Sequence, residues 1–113
     1  MKELKKGISD KNKVELDGVI RGTPRYSVNA TSGKGCLNFV IDSLKYVGGE
    51  KRYFDTECVM FSPMCEQFKD VLVDGMAIAT EGHIIQQNVT FGEGENARVI
   101  KTVKRCIDYC EIE

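Results

Sequence analysis

Basic and aromatic side chains recur together around three short segments of this sequence. Arg and Lys attract phosphates, and the flat faces of Tyr and Phe stack on nucleotide bases of any sequence. A segment that carries both types of residue therefore favours contact with a single-stranded nucleic acid. The candidate residues are Arg21, Arg25, Tyr26 and Lys34 in the first segment, Lys45, Tyr46, Lys51, Arg52, Tyr53 and Phe54 in the second, and Phe91, Arg98 and Lys101 in the third, which Lys104 and Arg105 follow.

The members of this set also have ordinary structural explanations. A single Lys or Arg is more often a solvated charge than a ligand contact, so the cluster is stronger evidence than any member. Tyr53 and Phe54 are neighbours, and on a strand one of them would point inward and the other outward. The pattern does not decide which. The aromatic residues that could equally pack at the rim of a core are Tyr26, Tyr46 and Phe91, and those expected inside it are Phe39, Phe61 and Phe68.

Neither catalysis nor metal binding is indicated by the motifs. His83 is the only histidine, and no nucleophile, phosphate-loop, metalloprotease or dinucleotide motif accompanies it. Cys106 and Cys110 are four residues apart, which on a strand places both on one face without forming a CxxC zinc knuckle. They are better explained as small apolar side chains of a packed face. We therefore expect no enzymatic activity, no bound metal and no cofactor.

The composition predicts a single domain without a membrane segment. The chain has 113 residues, of which 42% are apolar and 29% charged, as is typical of a globular protein. The net charge is −1, so affinity for nucleic acid has to come from separating positive from negative side chains. No apolar run approaches the roughly 20 residues that cross a bilayer. Five cysteines, an odd number, without a secretion signal favour reduced thiols in the cytoplasm.

Alternating apolar residues predict five strands separated by polar or Gly-rich turns. The predicted strands cover residues 13–20, 36–46, 52–61, 76–90 and 98–112. Gly18, Gly22 and Gly82 interrupt them and indicate bends, which would let a long first strand serve two sheets. A basic turn is expected at residues 21–26. Both faces of the third strand are mixed, and the alternation does not identify the core face.

One helix of about three turns is predicted between the third and fourth strands. Ser62 is a favoured N-cap, Pro63 fits the first helical position, and Asp74-Gly75 is expected to end the helix. Its apolar stripe consists of Met64, Phe68, Val71 and Leu72. Such a stripe would cover the open end of a small barrel.

This order of elements predicts the fold. Three strands, one helix and two further strands follow one another in the OB-fold, a five-stranded Greek-key barrel. The sequence thus predicts a mainly β, five-stranded OB-fold barrel over residues 12–113. Residues 1–11, which carry several lysines, are expected to form a flexible basic arm.

The sequence resembles bacterial and phage single-stranded DNA-binding proteins over nearly its whole length, about residues 12–112. The residues that carry the resemblance in the first half are Asn12-Lys13-Val14, Gly18, Arg21, Pro24, Arg25-Tyr26, Ser32-Gly33 and Asn38-Phe39-Val40-Ile41. Those in the second half are Cys58-Val59-Met60-Phe61, Asp74-Gly75 and Glu81-Gly82. Their order and spacing carry the resemblance, since no single piece is specific.

The resemblance implies a protein that coats and protects single-stranded DNA in replication, recombination or repair. It also implies a homodimer or homotetramer, paired partly through the first strand, and a place at the nucleoid. The chain departs from the family in having no Trp, and the nearest positions hold Tyr46, Tyr53 or Phe54, and Val89 or Phe91. The family's flexible linker and acidic tail are also missing. The resemblance therefore leaves open whether other replication proteins are partners. A compact version without the tail would suit a phage or mobile-element protein.

Two alternatives stay open. An OB-fold adaptor in a replisome or primosome would act mainly through protein contacts and bind DNA weakly. The near-neutral net charge favours it, as do the acidic residues on the strands that would flank the groove, Glu15, Asp17, Asp55 and Glu57. RNA could replace DNA as the ligand, because stacking hardly distinguishes the two sugars.

Overall fold

The five predicted strands form a closed barrel in the computed structural model of the protein, which describes residues 11–113. The strands are β1 (Val14–Val28), β2 (Gly35–Val47), β3 (Glu50–Phe61), β4 (Ala77–Phe91) and β5 (Arg98–Ile112). The helices are α1 (Met64–Phe68), between β3 and β4, and a short 3-10 helix (Gly94–Asn96) between β4 and β5. Around the barrel the strands follow the order β1, β2, β3, β5, β4. The predicted OB-like barrel is confirmed, while the predicted basic arm lies, except for Lys11, outside the described residues.

Strand β1 is longer than predicted because the basic segment after Ile20 belongs to it. A bulge between Arg21 and Arg25 shifts the register with β2, and the ladder resumes with Arg25 opposite Asn38. Gly22 lies in this bulge with a φ of +78°, which other residues rarely adopt. The prediction of a basic turn here is wrong, because pairing with β2 keeps the segment extended.

Strand β1 serves two neighbours, as its glycines predict. Residues 14–19 pair with β4 and residues 19–28 pair with β2, so the strand changes partner beside Gly18. A Cβ atom at Gly18 would collide with the carbonyl oxygen of Asp42 on β2. Glycine therefore permits the close approach of β1 and β2 at the point where the barrel closes.

The barrel is filled by inward-facing apolar residues. The buried cluster consists of Ile20, Leu37, Phe39, Ile41, Cys58, Met60, Cys65, Leu72, Ile78, Ile107 and Cys110. On β3 the buried face is the one that carries Cys58 and Met60. Phe39 is buried and Phe68 packs against the cluster, as predicted. Phe61 is 39% exposed and lies on the outer side of the barrel, so its predicted core position is wrong.

Helix α1 is much shorter than predicted, with five residues instead of about three turns. Pro63 occupies the N-cap position that was predicted for Ser62. The Ser62 hydroxyl instead accepts a hydrogen bond from the Gly35 N–H at 2.7 Å, which joins the start of the helix to β2. Leu72 of the predicted apolar stripe is buried, whereas Val71 is 42% exposed.

The chain between α1 and β4 is joined to β1 by hydrogen bonds. The Gly75 N–H donates to the Ile20 carbonyl at 2.7 Å, and the Asp74 carboxylate accepts from the Gly22 N–H at 2.7 Å. These bonds hold the chain that follows the helix against β1. Cys65 of α1 still joins the core cluster, so the helix packs against the barrel. No helix within residues 11–113 is long and apolar enough to cross a membrane.

The register of β5 decides where its two cysteines point. Asp108 has no partner on β4, although the residues on either side of it are paired. This extra residue turns Cys110 into the core cluster, whereas Cys106 lies opposite His83 and outside that cluster. The prediction that Cys106 and Cys110 share one face is therefore wrong. Both are buried, and all five cysteines of the chain are free thiols.

The interior also holds a charged side chain, Arg105, which is 1% exposed. Its guanidinium donates to the Val14 carbonyl at 2.6 Å and to the hydroxyl and carbonyl oxygens of Thr80. Burial raises the pKa of Cys58 to about 11, although Arg105 acts in the opposite direction, so this thiol stays neutral at pH 7. Neutral oxygens of β1 and β4 thus hold the buried charge. The interpretation of Arg105 as one of the surface cations after the third segment is wrong.

We expect Arg105→Met to lower the free energy of unfolding by about 1–3 kcal/mol, because the buried oxygens of Val14 and Thr80 lose their donors. Urea unfolding followed by circular dichroism measures this change. Lys101→Met, at an exposed position of the same strand, is the control and should change stability by less than about 0.5 kcal/mol. Wild-type stability of the Arg105 variant would contradict the role assigned to these hydrogen bonds.

Candidate nucleic-acid interface

The pairing of β2 with β3 sorts the side chains of this hairpin onto two faces. Residues directly opposite each other in an antiparallel ladder share a face. One face continues the barrel core, and the other is called here the outer face. The outer face consists of Cys36, Asn38, Val40, Asp42, Leu44 and Tyr46 on β2 and of Lys51, Tyr53, Asp55, Glu57, Val59 and Phe61 on β3.

This register distinguishes Tyr53 from Phe54. Tyr53 lies opposite Leu44 on the outer face, and Tyr46 lies one residue pair further along the same face. The two tyrosines are 67% and 60% exposed, and their diagonal placement keeps them within reach of each other. Phe54 lies opposite Ser43 on the other face of the hairpin. Leu44, Tyr46 and Tyr53 therefore form an exposed surface, called here the tyrosine patch.

A small cleft of about 80 Å³ opens beside the same outer face. It is lined by Arg21, Thr23 and Arg25 of β1, Asn38, Phe39 and Val40 of β2, Glu57 and Cys58 of β3, and Lys104 of β5. Lys104 lies on β5 next to Arg105, whose Cα partner on β3 is Cys58. The Lys104 ammonium reaches across β3 and donates to the Asn38 side-chain oxygen at 3.0 Å. Three cations and one carboxylate thus meet in this basic cleft.

The cations of the basic cleft differ in the partners of their side chains. Arg21 contacts both carboxylate oxygens of Asp55, at 3.0 and 3.2 Å. Both partners are exposed, so this pair contributes little to stability and can be exchanged for another anion. Within residues 11–113, the Arg25 side chain makes no hydrogen bond or ion pair, although the residue pairs with Asn38 in the ladder. A single anion in the cleft could therefore engage Arg25 at once and compete with Asp55 for Arg21.

The third segment is connected to the basic cleft through one face of the β4–β5 hairpin. Phe91 and Arg98 lie directly opposite each other near its end. Because side chains alternate along a strand, Arg98 and Lys104 share a face of β5, whereas Lys101 lies on the opposite face. Phe91 is exposed. This hairpin face therefore adds one aromatic ring and one cation to the same side as Lys104.

Tyr26 is separated from the other aromatic candidates. It lies opposite Leu37 and packs against the core cluster. The Lys69 ammonium lies 4.7 Å from the centre of its ring, a cation–π contact that covers one part of the side chain. Tyr26 is therefore positioned as a rim residue of the core and not as a part of the outer face.

Several predicted basic residues also lie away from the outer face. Lys45 and Arg52 are opposite each other on the face that carries Phe54. Lys34, in the loop between β1 and β2, borders a separate groove together with Phe61. Seven of the predicted residues lie on the outer face, in the basic cleft or on the adjoining hairpin face. They are Arg21, Arg25, Tyr46, Lys51, Tyr53, Phe91 and Arg98.

Sequence analysis did not select two residues of the cleft, Asn38 and Lys104, as candidates for binding. It named Lys104 only as a cation that follows the third segment and Asn38 only among the residues that carry the family resemblance. Lys104 lies an even number of residues after Arg98, so alternation along a strand places both side chains on one face. The sequence alone could have indicated this. The position of Lys104 beside β3 depends on the parallel pairing of β3 with β5, which joins segments far apart in the chain. Asn38 carried no signal of its own, because a polar residue on an outer strand face is common.

A second groove on the outside of the barrel has the opposite charge. It is lined by Glu15, Asp17, Ala79, Thr80, Glu81 and Tyr109. Lys13 bridges Glu15 and Glu81, at 3.5 and 3.3 Å, and so neutralises part of this acidic groove. The described surface thus separates positive from negative side chains although the net charge is close to zero.

A scan of the sequence against protein-family models gives no match, and a search of curated proteins finds no significant match. The barrel and the arrangement of side chains on it are therefore the grounds for a functional conclusion.

Proposed function

We propose that the protein binds single-stranded DNA without catalysis and protects exposed strands in replication, recombination or repair. One observation carries the proposal: the tyrosine patch and the basic cleft lie on the same outer face of β2 and β3. OB-folds bind oligonucleotides with the face formed by their second and third strands and with the adjoining loops. The combination supplies the two devices that bind single strands without sequence preference, stacking and phosphate attraction.

The outer face is long enough for several nucleotides. Asn38 borders the basic cleft and Tyr46 lies eight residues further along β2, a distance of about 26 Å on a regular strand. A strand laid along this face would place phosphates at the cleft and bases over Tyr53 and Tyr46. A footprint of this length is in keeping with the site sizes of about 4–16 nucleotides of single OB-folds.

Acidic side chains on the same face set a limit to the affinity. Asp42 and Asp55 lie between the tyrosine patch and the basic cleft, and Glu57 lines the cleft itself. The ion pair with Arg21 neutralises Asp55, and release of that pair would give the Arg21 guanidinium to a phosphate. We expect binding to be sensitive to salt and to use few phosphate contacts. RNA would satisfy the same contacts, since none of them depends on the sugar.

Self-association belongs to the same proposal. Residues 14–18 of β1 pair with β4, but pairing between β1 and β2 begins only at Val19 opposite Asp42. One edge of this segment therefore lacks a strand partner in the described barrel and could pair with a second copy. A homodimer or homotetramer would let several outer faces share one DNA strand. A protein with this role would work at the nucleoid, in the cytoplasm of a bacterial or phage-infected cell.

The acidic groove favours a second candidate function. A surface of this charge suits a basic protein partner better than DNA. In that case the protein would be an OB-fold adaptor of a replisome or primosome, with DNA as a secondary ligand.

The decisive experiment is a fluorescence-anisotropy titration of labelled oligo-dT at two salt concentrations, with a duplex of equal length as the control. We expect the single strand to bind more tightly than the duplex and binding to weaken as salt rises, because displaced counterions oppose it. Absence of single-strand binding at low salt would overturn the proposal and favour the adaptor.

Lys104→Ala should weaken oligo-dT binding and lower the magnitude of the log–log salt slope by about 0.7, the value for one lost phosphate contact on a single strand. Arg25→Ala should weaken binding and lower the salt slope by a similar amount. Lys101→Ala removes the same charge from the opposite face of β5 and is the matched control, for which we expect an unchanged slope. Equal effects of the Lys101 and Lys104 variants would show that total charge, not the basic cleft, governs binding.

Tyr53→Ala should weaken oligo-dT binding by roughly 1–3 kcal/mol, on the order of 5- to 150-fold, because a stacked base loses its platform. Tyr53→Phe keeps the ring and should retain most of the affinity. Phe54→Ala, its neighbour on the other face, should change the affinity less than about threefold. A larger loss of affinity for Phe54→Ala than for Tyr53→Ala would place the ligand on the face of the hairpin that carries Phe54 and would contradict the proposal.

A further inference from the structure

Three side chains with different metal-binding atoms meet on the outer side of the β4–β5 ladder. His83, Cys106 and Asp108 each offer one ligand atom, and these nitrogen, sulfur and oxygen atoms all lie within 4.8 Å of one another. The Nδ1 atom of His83 lies 2.7 Å from a carboxylate oxygen of Asp108. None of the three contributes to the core cluster or to the basic cleft.

The backbone of the two strands builds this cluster. His83 and Cys106 are directly opposite each other in the ladder, which holds their side chains on the same face. Asp108 is the unpaired extra residue of β5, and the bulge brings its carboxylate to the His83 ring. A Cβ atom at Gly82 would collide with the Cys106 carbonyl oxygen, so glycine is required for this close approach. The cluster is thus a product of the register shift and not of sequence spacing.

The donor set is specific in its chemistry. Imidazole nitrogen, thiolate sulfur and carboxylate oxygen together suit Zn²⁺ better than Mg²⁺ or Ca²⁺, which prefer oxygen alone. A tetrahedral Zn²⁺ has bonds of about 2.0–2.3 Å to such atoms, so its ligand atoms lie roughly 3.3–3.8 Å apart. The Nδ1 atom of His83 and the Asp108 oxygen, which are 2.7 Å apart, would therefore separate, while any pair near the 4.8 Å limit would draw closer. Small side-chain rotations therefore suffice to enclose an ion.

The surroundings leave one coordination position open. Cys106 is buried, His83 is partly exposed and Asp108 is exposed. An ion among them would be shielded on the barrel side and would face solvent on the other, where a water molecule can complete a tetrahedron.

The geometry points to a Zn²⁺ site formed by His83, Cys106 and Asp108, with water as the fourth ligand. Binding replaces the His83–Asp108 hydrogen bond by two bonds to the ion, and the proton of that hydrogen bond leaves through the solvent, so that the neutral His83 ring carries its proton on Nε2. The thiol proton of Cys106 also passes to the solvent as the sulfur–zinc bond forms. The ion would fasten β4 to β5 at the point where their register shifts. This inference does not depend on binding of DNA.

Zinc binding is measured on the full chain, freed of metal by a chelator, by competition with a chromophoric zinc indicator. We expect saturation at one equivalent. Co²⁺ is the spectroscopic probe, because a thiolate ligand produces a sulfur-to-cobalt charge-transfer band. His83→Gln and Asp108→Asn should each weaken Zn²⁺ binding at least about tenfold. Cys106→Ser should abolish the charge-transfer band.

The matched control is Cys36→Ser, which removes a partly exposed thiol outside the ligand set. It should retain both the affinity and the charge-transfer band. If Cys106→Ser does not fold, the variants of the two more exposed ligands carry the test. Absence of saturable binding, unchanged affinity in His83→Gln and Asp108→Asn, or an equal loss in Cys36→Ser would overturn the site and leave His83 and Asp108 as an ordinary surface hydrogen bond.

Discussion

The guanidinium of Arg105 is the point at which three strands of the barrel are tied together. It extends from β5 into the interior and donates hydrogen bonds to Val14 on β1 and to Thr80 on β4. A buried charge is costly unless it is hydrogen-bonded, and both terminal nitrogens of this guanidinium donate to oxygens, although its Nε atom has no partner within residues 11–113. These bonds favour one position of the side chain. Once Arg105 points inward, the alternation of the strand turns its neighbours Lys104 and Cys106 outward. The direction of one buried side chain therefore fixes the surroundings of both candidate sites.

The two outward neighbours of Arg105 are used differently. Lys104 reaches across β3 to Asn38 and closes the basic cleft. Cys106 is held against β4, where His83 and Asp108 approach it. Both arrangements need β5 to lie beside β3 on one edge and β4 on the other, as it does in this barrel. Binding of a nucleic acid and binding of a metal would accordingly occur on adjacent parts of one strand while using separate side chains.

The separation of charge explains how a nearly neutral protein can attract an anion. The basic cleft and the acidic groove lie on different parts of the barrel surface, and each has a local charge that the total conceals. Long-range attraction depends on this local distribution and weakens as salt screens it. Exposed aromatic rings then add a contact that salt hardly affects. The outer face of β2 and β3 offers both, whereas the opposite face of the hairpin offers Phe54 beside acidic residues of β1.

The sequence by itself determined the class of the fold, the number and order of the strands, and a part of the core that includes Phe39 and Leu72. Alternation reports burial directly, and glycines such as Gly18 and Gly82 mark places where backbones approach closely. It also identified most of the basic and aromatic residues of the candidate interface. Only the tertiary structure decided that Tyr53 lies on the outer face and Phe54, which is also exposed, on the other face of the hairpin. It alone decided that α1 stops after five residues and that Cys106 and Cys110 diverge. Three features arise between segments that are distant in the chain: the strand register, the bulge at Asp108, and the hydrogen bonds between β1 and residues 74 and 75. The spacing of residues along the sequence does not predict them.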